Sequence, residues 1–375
     1  MKTLLIFTDH FFPAFKGGGP IQSIVNMVRV LADDFSCMIV CSAHDLGETA
    51  ILPEVKVNQW NEYSGTSKVF YRDSWNKSSQ KKIIKSADAD IVYINGLFSV
   101  DFNILPLLIV KRMRQRIIVA PRGMLQSGAL AIRPLKKRVF LYLFRLMNMY
   151  RNVEWHATDG QERDDIRQWM GKESIVHMAS NIPVVPPLMP VQKIKLAGQL
   201  KMIYLSLITE KKGLYLALEA LSRINRPVVF DIYGPVKDTL YWECCLNLIE
   251  KLSRMHMIRY YGPVQPDNVL STFSDYHVMV LPTMGENFGH AIYESLSAGT
   301  PVILSMHTPW GDLEKRNAGK TVDIKDKMEL PRSLESFIDM DQIRYDSLSS
   351  GACSLAKDYF QKNNFKEQYK AMFSA

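Results

Sequence analysis

The chain has 375 residues, 47% of them apolar and 22% charged, with 17 Phe, 16 Tyr and 6 Trp. That is enough length for two domains and enough aromatic and aliphatic bulk to fill their cores, which excludes a disordered or low-complexity chain. No stretch approaches the roughly 18 consecutive apolar residues of a membrane span, and the five Cys have no metal-ligand spacing and read as reduced thiols of a cytosolic protein.

The net charge of +8 is unevenly placed. Residues 1–190 carry 24 Lys or Arg against 17 Asp or Glu, a net of +7, whereas residues 191–375 carry 22 against 21. The basic first part predicts an anionic partner there: a phosphate-bearing substrate, an anionic membrane surface or nucleic acid. No basic–aromatic stacking pattern and no recognition motif supports nucleic acid.

In chain order, "MKTLLIFTDHFFP" opens with an apolar run that Asp9 and His10 cut too early for a secretory signal, and it reads as a buried first strand. "IQSIVNMVRVLADDF" follows, with Ile21, Ile24, Val25, Val28 and Leu31 on one helical face. "CMIVCS", "DIVYIN" and "RIIVAP" are nearly all apolar, as parallel strands covered by helices on both faces require. "RPLKKRVFLYLFRLMNMYR" (133–151) reads as a basic amphipathic helix carrying Arg133, Lys136, Lys137, Arg138, Arg145 and Arg151 beside Phe140, Leu143, Phe144 and Met147. Such a helix either lies on an anionic membrane or packs its apolar side on the sheet, and both readings stay open. "VEWHATD" follows as a further strand end.

The Pro-rich "NIPVVPPLMPVQ" (181–192) is the natural linker. The strand–helix rhythm then restarts with "KMIYLSLI", the helix "LYLALEALSRI", "PVVFDIYG", "IRYYG", "HVMVLPT" and "PVILS". The prediction is an α/β fold with domains at 1–187 and 188–355, and a helix within 356–375, around "FKEQYKAMF", that returns to the first domain. In open α/β sheets ligands bind beyond the carboxyl ends of the strands. "GGG" (17–19), "TEKKG" (209–213) and "MGENFGH" (284–290) all follow strands and are the candidate site loops.

"GENFGHAIYESLSAGTPV" (285–302) is the most informative stretch. It puts Glu286 in a loop and Glu294 inside the helix that follows, about 12 Å apart along the axis if every step is helical. Gly289 at the helix start allows close approach to free N–H groups, a ready anion site. Two carboxylates flanking an anion site suit hydroxyls at both ends of a ligand with a diphosphate in the middle, a nucleotide sugar. The plain alternative is an exposed acid and a solvated helix glutamate.

The same stretch resembles the signature of retaining glycosyltransferases with two Rossmann-like domains facing a cleft (GT-B), with its Glu, Phe-Gly and second Glu after seven residues. "FPAFKGGGPIQSIVNMVRVLA", "LSLITEKKGLYLALEAL" and "IRYYGPV" resemble that family's glycine loop, phosphate loop and base-binding strand end. "APRGMLQSGAL", "GENFGH" and "TPW" resemble a bacterial branch that builds surface polysaccharide such as O-antigen or capsule. The resemblance implies that Glu286 binds the sugar hydroxyls and Lys212 neutralises the diphosphate. It implies further that Phe288 and Gly289 lie at the sugar and phosphates, Glu294 at the ribose, Tyr261 and Gly262 near the base, and Gly18 and Gly19 along the reacting phosphate. His290 beside Gly289 is a donor-contact candidate; His10 and His156 are weaker candidates on the acceptor side. Many members carry an Arg five residues before the Lys; here that position is Leu207, and Arg122 is the candidate replacement.

The implied reaction moves a sugar from a UDP- or GDP-sugar to a lipid-linked saccharide, with retention, at the inner face of the cell membrane and with no metal or cofactor. "DAD" (88–90) matches a metal-binding Asp-x-Asp but precedes its strand, on the wrong side, and reads as a solvated turn. The remaining alternatives are a sugar-nucleotide epimerase or phosphorylase on the same fold, or a non-catalytic saccharide-binding protein. A nicotinamide-dependent oxidoreductase lacks its Gly-x-Gly-x-x-Gly after any strand.

Overall fold

A computed structural model describes residues 1–73, 77–113, 115–131, 134–187 and 191–374. The chain divides into two units: Met1–Ile182 with Asn364–Ala375, and Pro183–Asn363.

Unit 1 is built on β1 (Lys2–Phe7), β2 (Phe35–Ser42), β3 (Trp60–Ser64), β4 (Ser67–Arg72), β5 (Ile91–Asn95), β6 (Arg116–Ala120), β7 (Val153–Ala157) and β8 (Val176–Met178). Their order is β3-β4-β2-β1-β5-β6-β7-β8. All pairs are parallel except β3 with β4. The central strands are near-continuous apolar runs because helices cover both faces: Leu4, Leu5, Ile6 and Phe7 have no exposed surface. The β3–β4 hairpin was not predicted. Across a turn at Gly65, β4 carries buried residues alternating at first with partly buried ones, whereas β3 has no buried residue, as the outermost strand of the sheet would, and so it lacks the apolar run that marks a buried strand.

Asp90 of the "DAD" stretch accepts the Thr3 N–H at 2.7 Å ahead of β5. That is a β1–β5 edge tie at the amino end of the sheet, opposite the ligand end.

Unit 2 is built on β9 (Lys201–Leu205), β10 (Val229–Tyr233), β11 (Met257–Gly262), β12 (Val278–Leu281), β13 (Val302–Ser305) and β14 (Gly319–Val322), all parallel. Their order is β11-β10-β9-β12-β13-β14. Counted within the unit this is 3-2-1-4-5-6, the doubly wound nucleotide-binding order, in which the chain reverses direction between the first and fourth strands. The crevice this reversal opens lies at the carboxyl ends of β9 and β12. Met202, Ile203, Tyr204, Val280 and Ile303 are wholly buried in the core beneath it.

The sequence reading placed boundaries at 187/188 and 355/356; the units divide instead at 182/183 and 363/364. Helix Gln342–Lys362 runs unbroken through 355, because Tyr345, Ala352, Cys353 and Ala356 form one buried face across that point. It ends at Asn363, and helix Phe365–Ser374 packs into unit 1 through Phe365, Tyr369, Met372 and Phe373. The Arg116 guanidinium donates to the carbonyls of Met372 and Phe373 at 2.8 and 3.1 Å, a cation on the negative end of the helix dipole.

Candidate active site

The crevice of unit 2 is formed by two loops. After β9, Glu210–Lys212 makes one 3-10 turn and Gly213 starts helix Leu214–Leu221. After β12, Pro282–Phe288 leads to Gly289 and helix His290–Ser297. The loops are stitched together: Met284 N–H and Thr283 Oγ1 both donate to the Lys211 carbonyl, at 2.7 and 3.1 Å. Gly213 permits that approach. It sits at φ +75°, and a Cβ there would lie 2.2 Å from the Pro282 carbonyl oxygen.

This stitching brings Lys212 and Glu286 into a direct ion pair, both side chains largely buried. Two residues 74 positions apart thus share one point at the reversal of the sheet. Lys211, not singled out in the sequence, turns its ammonium toward the same loop, about the width of one contact (3.9 Å) from where a Gly285 Cβ would stand. The crevice therefore holds two lysines, although Leu207 occupies the position where an Arg was expected.

Gly289 adopts φ +78° and caps its helix through backbone alone. Phe288 is buried among Trp310, Tyr293 and Tyr359, and its carbonyl accepts the Trp310 indole N–H at 2.6 Å. Trp310, in "TPW", thus holds the Gly289 turn from below. His290 is buried edge-on against the Phe288 ring, 4.8 Å between centroids.

One helical turn beyond, Glu294 is half-buried. Burial pushes its carboxyl up to about 8. At neutral pH the group is therefore mostly protonated, and a ligand that donates hydrogen bonds to it would favour the ionised form. At the other flank, Tyr261 is half-exposed and stacks on Tyr233 at 5.0 Å and 10°, next to Gly262 at the end of β11. Buried Asp231 fixes Arg259 from β11 with two hydrogen bonds of 2.8 and 2.7 Å, and that guanidinium lies 5.5 Å from the centre of the Tyr261 ring.

In unit 1, Gly18 caps helix Gly19–Leu31 after β1. The loop before it is braced by buried Asp45, which accepts the N–H groups of Phe15 and Lys16 at 3.0 and 3.1 Å. His10 bonds through Nδ1 with the His44 carbonyl, 3.0 Å.

Arg122, partly exposed, and His156 both have structural partners within unit 1. Arg122 donates to Asn95, Asn181 and the Tyr93 hydroxyl at 2.8, 2.7 and 2.9 Å. His156, expected on the acceptor side, is wholly buried between the Tyr93 hydroxyl and the Ala179 carbonyl, 2.7 Å each. Burial pulls its imidazole down to about 3, so it stays neutral, donating from Nε2 to Ala179 and accepting from Tyr93 at Nδ1. A strand position alternates faces, and only the sheet decides which face is inward.

Of the basic-helix residues, Lys136 and Arg138 are exposed. Lys137 turns inward instead, donating to the Ala129 carbonyl at 2.6 Å with its ammonium 5.5 Å from the Phe98 ring centre. Arg133 lies outside the described residues. Among the described residues no three His, Cys, Asp or Glu side chains converge on one point, and no helix is long and apolar enough to cross a membrane.

Residues 190–352 match the family model described as Glycosyl transferases group 1. That segment of unit 2 is thus a glycosyltransferase group 1 domain, and the two parallel-sheet, Rossmann-like units have the architecture of GT-B structural neighbours. Across 120 residues the chain is 29% identical to O-antigen chain mannosyltransferase B of Escherichia coli, a match covering 30% of each protein. The chain therefore spans less than a third of that relative's length. Sucrose-phosphate synthase of Thermosynechococcus elongatus has the same fold over 100% of this chain and 98% of its own, with a TM-score of 0.77 at 14% identity. HepE of Anabaena, solved with UDP and glucose, matches over the full length of both chains with a TM-score of 0.74 at 14% identity.

Proposed function

We propose that the chain transfers a sugar, with retention of anomeric configuration, from a nucleoside diphosphate sugar to a lipid-linked saccharide in the assembly of a bacterial surface polysaccharide. One observation carries this reading: the Lys212–Glu286 ion pair stands at the β9/β12 reversal, one turn from the Gly289 helix start. HepE was solved with UDP and with UDP-glucose, which supports a nucleotide-sugar donor here. The E. coli relative is a mannosyltransferase of O-antigen chains, which supports a polysaccharide acceptor.

In this reading the resting ion pair is exchanged on binding. The donor diphosphate takes Lys212, and Glu286 turns to the sugar hydroxyls. Glu294 ionises as it accepts the ribose hydroxyls, and the Tyr233–Tyr261 stack borders the base. Lys211 supplies the second positive charge at the diphosphate that Leu207 cannot. Charge stabilisation of the departing phosphate is worth a few kcal/mol per well-placed group, and the departing phosphate takes the acceptor's proton. No metal is called on, and the enzyme works at the inner face of the membrane, where its acceptor is anchored.

The test is a panel of UDP- and GDP-sugars read by thermal shift and by sugar release. A stabilising shift with one nucleotide series is expected, and it should survive a chelator. No response to any donor overturns the reading in favour of a non-catalytic saccharide-binding protein. A product of inverted configuration overturns retention, and loss of activity with the chelator overturns the metal-free site.

A further inference from the structure

Helix Pro134–Leu146 of unit 1 has two apolar faces. One packs inward through Phe140, Leu141 and Phe144, continuing into a ladder of rings, Phe98–Phe140–Phe144–Tyr150–Trp155, with centroids 4.0 to 5.6 Å apart. The other faces solvent. Leu135, Val139, Tyr142, Leu143, Leu146 and, just past the helix, Met147 are 46% to 76% exposed. At 100° per residue the five helical positions fall within about 100° of arc, a continuous stripe. Scattered exposed leucines need no explanation, but a stripe of this length on one helix does.

The stripe has basic edges. On the same helical wheel Lys136 lies to one side and Arg138 and Arg145 to the other, all exposed. The surrounding chain is one-sided in charge: from Phe102 to Val153 there are eleven Lys or Arg and no Asp or Glu. An apolar stripe between basic flanks is the form of a helix lying in the plane of an anionic bilayer, its apolar side at the acyl boundary and its cations among the headgroups. A protein partner or a second copy of this chain would have to answer the same charge with acids, which this stretch does not itself carry.

We propose that this outer face inserts into the surface of an anionic membrane, with Leu135, Val139, Tyr142, Leu143 and Leu146 as the inserting side chains. The proposal rests on the lipid-linked acceptor of the preceding section and names the surface that meets the lipid. In a right-handed β–α–β crossover the helix runs back from the carboxyl end of the sheet, so its Leu135 end starts on the ligand side of unit 1. Insertion there brings a membrane-anchored acceptor to the edge where the unit's loops gather.

The experiment is sedimentation of the full chain with phosphatidylcholine vesicles, with and without a quarter phosphatidylglycerol. Binding is expected only with the anionic lipid. It should fall at least about tenfold in Leu143→Ser/Leu146→Ser, since affinity follows buried apolar area, while the melting temperature holds because both side chains are already exposed. In a second variant, Tyr142→Trp, the added fluorescence should shift to the blue on anionic vesicles. Equal binding by the Leu double variant, an unshifted tryptophan, or no vesicle binding by the unaltered chain would each overturn the proposal. So would a dimer in light scattering that the double variant breaks up, which assigns the stripe to a second copy. The donor-induced thermal shift is measured in the same samples. If it is absent while vesicle binding holds, the donor reading fails and the membrane surface stands.

Discussion

Glu294 shows what one residue's surroundings predict. Its carboxyl has an ordinary value of 4.5 and is raised by burial to about 8. Between those values the folded chain keeps a proton that the unfolded chain has released, so stability falls as pH rises through that window. Glu294→Gln cannot ionise and should be more stable than the parent by about 2 kcal/mol at pH 9, allowing for partial solvent access, and equal to it at pH 4. Chemical denaturation at the two pH values checks this, and an unchanged difference would show a solvated carboxyl. Nucleotide affinity should fall in the same variant. Lys211→Ala should lower kcat by about tenfold to a hundredfold with little change in nucleotide affinity, if its charge acts mainly on the departing phosphate. Glu286 and Glu294 stood out because their spacing about a glycine turn is local, whereas Lys212 was implied only by the resemblance of its loop to a phosphate loop. Lys211 was not legible: the direction of the second lysine in "EKKG" depends on a loop more than seventy residues away. The partners of Arg122 and His156 were hidden for the same reason, since the network of Tyr93, Asn95, Ala179 and Asn181 that holds them is assembled only by β5, β6, β7 and β8.

Among elements, the two crevice loops depend on each other. Gly213→Ala would force a left-handed alanine and a 2.2 Å clash with the Pro282 carbonyl, and backbone cannot yield as a side-chain tip can. The expected result is a loss of about 2–4 kcal/mol together with loss of the donor-induced shift, read by melting with and without nucleotide. Retention of both would mean the loops are not held together. The strands themselves were readable from apolar runs, because parallel strands buried on both faces leave that mark. Their order was not. That β9 adjoins β12, and so sets Lys212 beside Glu286, follows from how the crossovers pack and from no local pattern. The basic helix was legible as amphipathic, but not as doubly apolar: the residues on its inner face are chosen by the aromatic ladder, and Leu143 and Met147, expected beside Phe140 and Phe144, belong to the other side.

For the molecule as a whole, unit 1 is completed by residues far from the rest of it in sequence. Deleting residues 364–375 would expose the partners of Phe365, Tyr369, Met372 and Phe373. Four such side chains contribute on the order of 6–10 kcal/mol. Hydrogen exchange should then show lost protection in β1, β5 and β7 and unchanged protection in β9 and β12, whereas uniform loss would mean that the units do not unfold separately. The division into two α/β units was legible from the restart of the strand rhythm after the Pro-rich stretch. The point of return was not, because nothing in helix Gln342–Lys362 interrupts its pattern before Asn363. Chain order also sets an order of synthesis. Unit 2 is one continuous segment, whereas the sheet of unit 1 waits for helix Phe365–Ser374, which the ribosome makes after all of unit 2. Since domains fold as units during synthesis, the later-numbered unit can finish first, and a nascent chain stopped before residue 364 would hold a formed unit 2 crevice and an incomplete unit 1.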